Sequence, residues 1–488
     1  MRNAEYRYGM GLDGYVYFNS AKYLHESHIY TNGCLIGNDY DCRYYGWLSV
    51  PPGYQFLITI PFSIFGEYDI FSMFISGFLS SLTIILIFLI AFCLFKNEKL
   101  GLYSSAIFVF LPLDIITSPT GAVRSTSLFF IALAVLFYLL AIKKSNVKMW
   151  SLFAITLSYS IYVRQENVIL LIPMAAGLFL FKYVKKEHLK KRNILPSIKK
   201  FSIPIFIFLL TQTPVFYWIL CVYGEGSFAV SNSMIIVGDM FNTFFQPTYY
   251  IPLVSILFFL SLVFITIRKH RSNLIFLLIP FFIYFLGISM FYQCEGFPKV
   301  FCLNYLRYMQ SLGVFYSILA GFTMLKIDSG LEKVFAFKKI FFWLFLVVLI
   351  FLSFSMFKPS IFLDARLNEY PVGASVELIN SAPANILLII DQHPLCFTDM
   401  TRNDERRWIN TPLLPFNESK QEIREAVSAQ RPIYLLSRNI AVRCFAGRVV
   451  FGDEDICGFV KENFNLTLEG AVKDIEMYRV ALLNGFYD

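Results

Sequence analysis

Charge is what this sequence has least of. Only 16% of its 488 residues are Asp, Glu, Lys or Arg, against about 25% in an ordinary soluble domain. Hydrophobic residues make up 57%, with 54 Phe and 29 Tyr. Such a balance excludes a soluble globular enzyme and marks an integral membrane protein. The signatures of soluble catalysts are missing as well: no Gly-rich phosphate loop, no P-loop, no Ser-His-Asp set and no HExxH. No CxxC pair occurs, which argues against a zinc site. Asp-x-Asp is matched literally at 39–41, but in a loop without the α/β surroundings of a nucleotide-sugar site. There is no 20–50-residue repeat and no low-complexity segment, and the twelve residues ahead of Asp13 are not expected to form a signal peptide or anchor.

Long apolar runs are abundant. They fall at about 70–95, 101–116, 121–142, 149–163, 167–183, 201–222, 250–267, 274–292, 306–325 and 340–357, so about ten spans are expected, several shorter than the ~20 residues of a straight crossing. Alternate loops are basic: Lys143, Lys144 and Lys148; the cluster from Lys182 to Lys200; Arg268, Lys269 and Arg271; Lys326, Lys333, Lys338 and Lys339. The positive-inside rule puts these in the cytoplasm, and the first 69 residues and the tail outside. The net charge of +8 is thus mostly a topology signal. Without aromatic interleaving or a binding motif, the basic loops do not read as a nucleic-acid surface.

Seven of the nine cysteines fall on the outer side, with Cys34/Cys42 and Cys294/Cys302 each eight residues apart. Disulfides stand ahead of free thiols for both pairs. Beyond Lys358 the composition turns soluble. NILLIID (385–391) and RPIYLLS (431–437) read as buried strands, with KQEIREAVSA (420–429) as a helix between them: a small α/β domain. Asn417 and Asn465 head glycosylation sequons there, a pattern frequent by chance.

The most informative stretch is 10–66. Asp13, Tyr17, Ala21 and Leu24 fall at i, i+4, i+8 and i+11, one face of a helix. Pro51 and Pro52 then open a second, short helix ending at Gly66, which reads as lying on the membrane surface. An acid followed by Tyr and Ala at +4 and +8, then PPGY and a short helix ending in Phe-Gly, resembles the first outer loop of the GT-C glycosyltransferases. These polytopic enzymes take a sugar from a polyprenyl phosphate, and include protein O-mannosyltransferases and the aminoarabinose transferases of lipid A. The resemblance covers about 13–326, is strongest at 13–66, and does not reach the tail. The family has a transmembrane helix ahead of this loop; either this sequence starts at an internal methionine or the first helix is lacking, and the expectation favours the latter because the loop itself is complete.

Candidate site residues follow from residue chemistry and from that resemblance. Asp13 read alone is an N-cap first and a base second; the resemblance reverses the order, because the family's catalytic acid occupies this place. Tyr17, in the aromatic strip beside it, is placed with the substrate. Asp114 is the candidate second acid, against an equal reading as a solvated loop residue; where some relatives have an acid at the start of the next helix, this chain has Arg124 and serines. Arg164 and Glu166 interrupt an apolar pair of helices, either as a wet hairpin turn or as cavity-lining groups; the resemblance favours Arg164 as a contact to the lipid-linked substrate. Arg307, flanked by Tyr305 and Tyr308, is the best phosphate ligand, with Lys299 in support; a membrane-anchoring Arg-Tyr pair is its plain alternative. His25 and His28 are left as surface polar residues, and no metal ligands are assigned. No cofactor is certain, with a divalent metal left open.

The fold class expected is an α-helical polytopic membrane protein, GT-C-like, with a small C-terminal α/β domain. The domains expected are a first extracytoplasmic loop (1–69), a membrane helical domain (70–357) and a soluble extracytoplasmic domain (358–488). The function expected is transfer of a sugar from a dolichyl or undecaprenyl phosphate donor to a hydroxyl of a glycan, lipid or protein. The alternatives are a transporter or flippase, and a polysaccharide polymerase. A transporter fits poorly, because the spans are nearly free of charge and the distinctive polar residues gather toward one face.

Overall fold

The computed structural model describes residues 12–31, 34–37, 42–45, 51–68, 70–118, 121, 123–144, 146–175, 202–213, 241–242, 244–245, 250–266, 270–291, 309–334, 340–356, 378, 381, 383, 385–390, 407–410, 416–438, 464–472 and 475–482. The chain divides into two compact units. One comprises residues 1–48, 55–71 and 360–488, the other 49–54 and 72–359.

The larger unit is helical. Among the described residues, three helices are long and apolar enough to cross a membrane: Ile70–Phe95, Val123–Lys144 and Met309–Leu331. Among the described residues there are also six apolar helices of 10–17 residues; the runs at 167–183 and 201–222 fall partly outside those residues. Helix α3 (Ile70–Phe95) shows why this unit suits lipid. Its buried face carries Ser72, Ser76, Ser80 and Thr83, while Phe74, Phe78, Ile85 and Leu89 are exposed. Over its first half, polar groups inside and apolar groups outside invert the pattern of a water-soluble helix, while the second half buries Leu86, Ile87 and Ile90. The helix Ile340–Met356 likewise exposes Trp343, Leu344, Val347 and Phe351.

Helix α4 (Glu98–Val109) is started by Asn97, whose side chain accepts from the Leu100 N–H at 3.0 Å. It ends at Phe110, so the run 101–116 breaks, and Pro112 opens a separate short helix, α5 (Pro112–Thr117). Helices α6 (Val123–Lys144) and α7 (Val147–Val163) pack against each other as a pair. The helix Gly313–Val334 packs on α4 through Gly321, where an added Cβ would lie 2.5 Å from Ser104 Oγ and 2.9 Å from its backbone N. Small residues let membrane helices approach this closely. Gly321→Ala should therefore cost ~1–3 kcal/mol, the usual penalty of overpacking, read as a lower unfolding temperature in detergent; an unchanged temperature would refute the tight contact.

The smaller unit gathers both ends of the chain. Helix α1 (Leu12–Glu26) is buried on more than one side: Tyr17, Phe18, Ala21 and Tyr23 are covered, and so are Asn19, Ser20 and Lys22. The expected one-sided strip thus describes only part of its packing. Helix α2 (Gly53–Phe65) begins after Pro51-Pro52 and stops before Gly66, whose φ of +91° suits glycine. Phe62 packs edge-on against Phe18, and His25 Nδ1 lies 2.9 Å from Glu67 Oε1. The opposite edge of α2 leaves Phe56, Ile60 and Ile64 exposed, a continuous apolar line at i, i+4 and i+8.

Seven strands make one sheet in the order β2-β1-β4-β3-β5-β7-β6. They are β1 (Cys34–Gly37), β2 (Cys42–Tyr45), β3 (Leu387–Ile390), β4 (Arg407–Asn410), β5 (Ile433–Arg438), β6 (Phe464–Val472) and β7 (Ile475–Leu482). β3 is parallel to β4 and β5, with the helix Phe416–Ser428 lying between β4 and β5 in sequence. Its residues are almost wholly covered, from Leu387 to Ile389 at 0–1% exposure, as a central strand requires. Residues 1–69 and 358–488, which the sequence reading treats as separate domains, share this sheet. The hairpin also corrects one expected disulfide. Cys42 stands opposite Gly37 and Cys34 opposite Tyr45. The two cysteines are therefore offset by three residues, ~10 Å at the rise of a strand, beyond the ~7 Å that a bridge spans between Cα atoms. The Cys294–Cys302 pair lies outside the described residues.

Candidate active site

The first polar cluster forms where α5 meets α3. Asp114 is carried by a helix of six residues, held at the Leu111 end by backbone bonds and buried to 6% exposure. Both carboxylate oxygens are engaged: Ser80 Oγ donates to Oδ2 at 2.5 Å and Gln310 Nε2 to Oδ1 at 2.6 Å. Gln310 Nε2 also lies 3.2 Å from Ser125 Oγ, in the first turn of α6. Burial pushes the Asp114 carboxyl up to about 6, with the Ser80 and Gln310 bonds pulling the other way. The reading of Asp114 as a solvated loop acid is therefore displaced. It is a buried, doubly bonded carboxyl in the connection between two helices.

The second cluster sits where α7 ends. Val163 is its last residue; Arg164, with φ −150°, caps it and a 3-10 helix over Gln165–Leu170 follows. Arg164 Nε is 3.5 Å from Glu166 Oε2, with the Arg side chain 9% exposed. Both groups are thus drawn together at the break in the helix pair, and the arrangement is not that of an open hairpin turn. Asn167 locks the corner. Fully buried, it donates through Nδ2 to Ser127 Oγ (2.8 Å) and the Ser160 carbonyl (2.7 Å), and accepts from Tyr284 OH (2.9 Å). The two clusters meet on α6, where Ser125 serves one and Ser127 the other.

Gly53 of the PPGY motif belongs to the same region. Tyr159 OH donates to its carbonyl at 2.8 Å, and an added Cβ would stand 2.5 Å from the carbonyl carbon and oxygen of Tyr162. Only glycine admits that approach, two residues before Arg164. The motif's glycine therefore has a packing reason, whatever the chemistry.

Of the remaining candidates, Asp13 lies in the first turn of α1. Tyr17 is buried within the smaller unit beside Tyr30, whose hydroxyl is pushed well above its ordinary value by burial and then by Tyr17. Lys299, Arg307 and Tyr308 fall outside the described residues. Among the described residues no group of three or more His, Cys, Asp or Glu is placed to hold a metal ion. Ser80, Gln310 and Asn167 carry no assignment from the sequence. The i, i+4, i+8 row of Ser72, Ser76 and Ser80 inside an apolar run was a usable signal for the first of them.

Residues 49–218, which carry PPGY, Asp114 and Arg164, match the family model of dolichyl-phosphate-mannose-protein mannosyltransferase. The match begins after Asp13 and ends before Arg307. Among solved structures the chain is similar to ArnT from Cupriavidus metallidurans bound to undecaprenyl phosphate, with a TM-score of 0.60 and 11% identity over 96% of this chain and 94% of that one. The apo state of the same protein gives 0.62, at 11% identity over 96% and 93%. An Archaeoglobus fulgidus oligosaccharyltransferase, tethered with an acceptor peptide containing the NVT sequon, gives 0.55 at 11% identity over 98% and 70%. No curated protein matches the chain by sequence. The fold is the one seen in these ArnT and oligosaccharyltransferase structures. The family model covers residues 49–218, about a third of the chain, while the likeness to the solved structures is one of fold.

Proposed function

We propose that this protein transfers a sugar from a polyprenyl phosphate to an acceptor hydroxyl at the outer face of a membrane. The observation that carries the reading is the buried Arg164, paired with the half-buried Glu166, and the Asp114 cluster, both set inside an otherwise apolar helical unit of GT-C fold. Ionisable groups at such depth serve a polar substrate or pathway. The similar ArnT structure, which holds undecaprenyl phosphate, supports the donor class, and the alternating basic loops support an outer site.

In this mechanism Asp13 takes the proton of the acceptor hydroxyl as its oxygen attacks the anomeric carbon. The bond from that carbon to the phosphate oxygen breaks, and the electron pair leaves with the polyprenyl phosphate. Attack opposite the leaving group inverts the anomeric centre. A phosphate leaving group needs no acid; it needs cations, and Arg307 and Arg164 supply them, with Lys299 in reserve. Glu166 keeps Arg164 extended, Tyr17 and Tyr308 help shape the sugar's surroundings, and Asp114 holds the helices around it. The exposed apolar line of α2, on a helix ~20 Å long, lies in the bilayer surface.

The test is release of polyprenyl phosphate by the purified protein from a panel of polyprenyl-phosphate sugars. Arg307→Ala should raise the donor KM by ~10-fold or more, the scale of a lost charge-assisted bond of about 1.5–3 kcal/mol, with a smaller change in kcat. Absence of any release across the panel would overturn the reading.

A further inference from the structure

The segment after α1 does not stand by itself. β1 begins at Cys34, and residues 27–33 are all that separate it from the end of α1. A hairpin with two four-residue arms is marginal in isolation. Here its inner strand is continued by a strand from nearly four hundred residues away: β1 pairs antiparallel with β4 through Ile36↔Ile409 and Gly37↔Trp408. β4 is itself firmly held. It runs parallel to β3, whose Leu387, Leu388 and Ile389 are buried, the Arg407 N–H donates to the Ile386 carbonyl at 2.9 Å, and the Arg407 guanidinium is paired with Glu422, 3% exposed, on the helix Phe416–Ser428. At its other side α1 is fastened by Phe18 on Phe62 and by His25 on Glu67.

We propose that the carboxy-terminal sheet is a positioning element for the acid-bearing helix: β4 receives the hairpin that follows α1 and thereby sets where α1 is held. The inference rests on Asp13 being the base. It gives the tail a part in the transfer reaction without any contact with donor or acceptor. Ile36 and Ile409 are positioning residues, acting through the backbone ladder. A reacting group displaced by 1 Å loses ~10²-fold in rate, so a loosened hairpin should be felt in kcat.

Two variants of the full-length protein test this. In the double variant Ile36→Cys with Ile409→Cys, the paired positions are directly opposed, ~4.5–5.5 Å apart at Cα and within disulfide reach. Oxidation should yield linked peptides carrying positions 36 and 409 by mass spectrometry, with transfer retained. Ile36→Pro, which removes a ladder N–H from a strand paired on both sides, should lower kcat by ~10-fold or more while the donor KM stays within about twofold, and Ile36→Val should behave as the parent. Failure to form the link, or loss of transfer on linking, overturns the proposal, and it does so even if the proline variant does not fold. So does a proline variant with normal kcat. If instead Asp13→Asn transfers normally while the link forms, the pairing stands and the assignment of the base is what fails.

Discussion

Asp13→Asn should lower sugar transfer by at least ~10²-fold, the ordinary worth of a general base, and leave donor binding nearly unchanged. The substitution keeps size and hydrogen-bonding capacity and removes only the proton acceptor. Its strength lies in what the rival explanation permits. Asp13 lies in the first turn of α1, where an acid stabilises a helix through the macrodipole by ~0.3–1 kcal/mol. Asparagine would forfeit no more than that, and as a cap it would forfeit nothing. A helix-end role therefore predicts an active, slightly less stable protein. A catalytic role predicts a folded, donor-binding, inactive one. Binding of a polyprenyl phosphate by the variant, measured beside its turnover, separates the two; near-normal transfer would remove Asp13 from the chemistry.

What could be read from the sequence was whatever depends on local pattern. The near-absence of charge announced a membrane protein, and Pro51-Pro52 and Gly66 marked the two ends of α2 because φ restrictions act residue by residue. The apolar run 385–391 contains β3, and 431–437 contains all of β5 but its last residue. Asp114 and Arg164 stood out as ionisable groups in apolar surroundings. Their partners did not. Ser80 is 34 residues from Asp114 and Gln310 is 196, and no periodicity links residues on different helices. The short arms CLIG and CRYY carry no alternation long enough to declare a strand. They are ordered by β4, a tertiary effect invisible where they occur. Arg124 shows the same limit from the other side: the deviation from the family pattern at the start of α6 was noticed, while the use made of the neighbouring serines, Ser125 toward Gln310 and Ser127 toward Asn167, emerged only in three dimensions.

Asp114 should behave in the opposite way to Asp13. Asp114→Asn should keep most of the transfer activity, and Asp114→Leu should lose both activity and stability. In the parent, two donors converge on the carboxyl, Ser80 Oγ–H on Oδ2 and the Gln310 amide on Oδ1. Asparagine brings a donor of its own. Ser80 can turn its hydroxyl to accept, and Gln310 can present Oε1, which has no partner among the described residues. Leucine offers no acceptor, so both donors are stranded out of water at ~1–3 kcal/mol each. The pH profile gives a second signature. With the folded carboxyl at about 6 and its ordinary value at 3.8, the native state binds the proton more tightly than the unfolded chain. The group's contribution to stability is then fully present below about 3.8 and is lost as pH rises through about 6. The parent should accordingly melt at a higher temperature at pH 4.5 than at pH 7 by a margin that Asp114→Asn lacks. A variant that is folded, equally pH-insensitive and yet devoid of transfer would show that Asp114 reacts with the substrate rather than holding the helices around it.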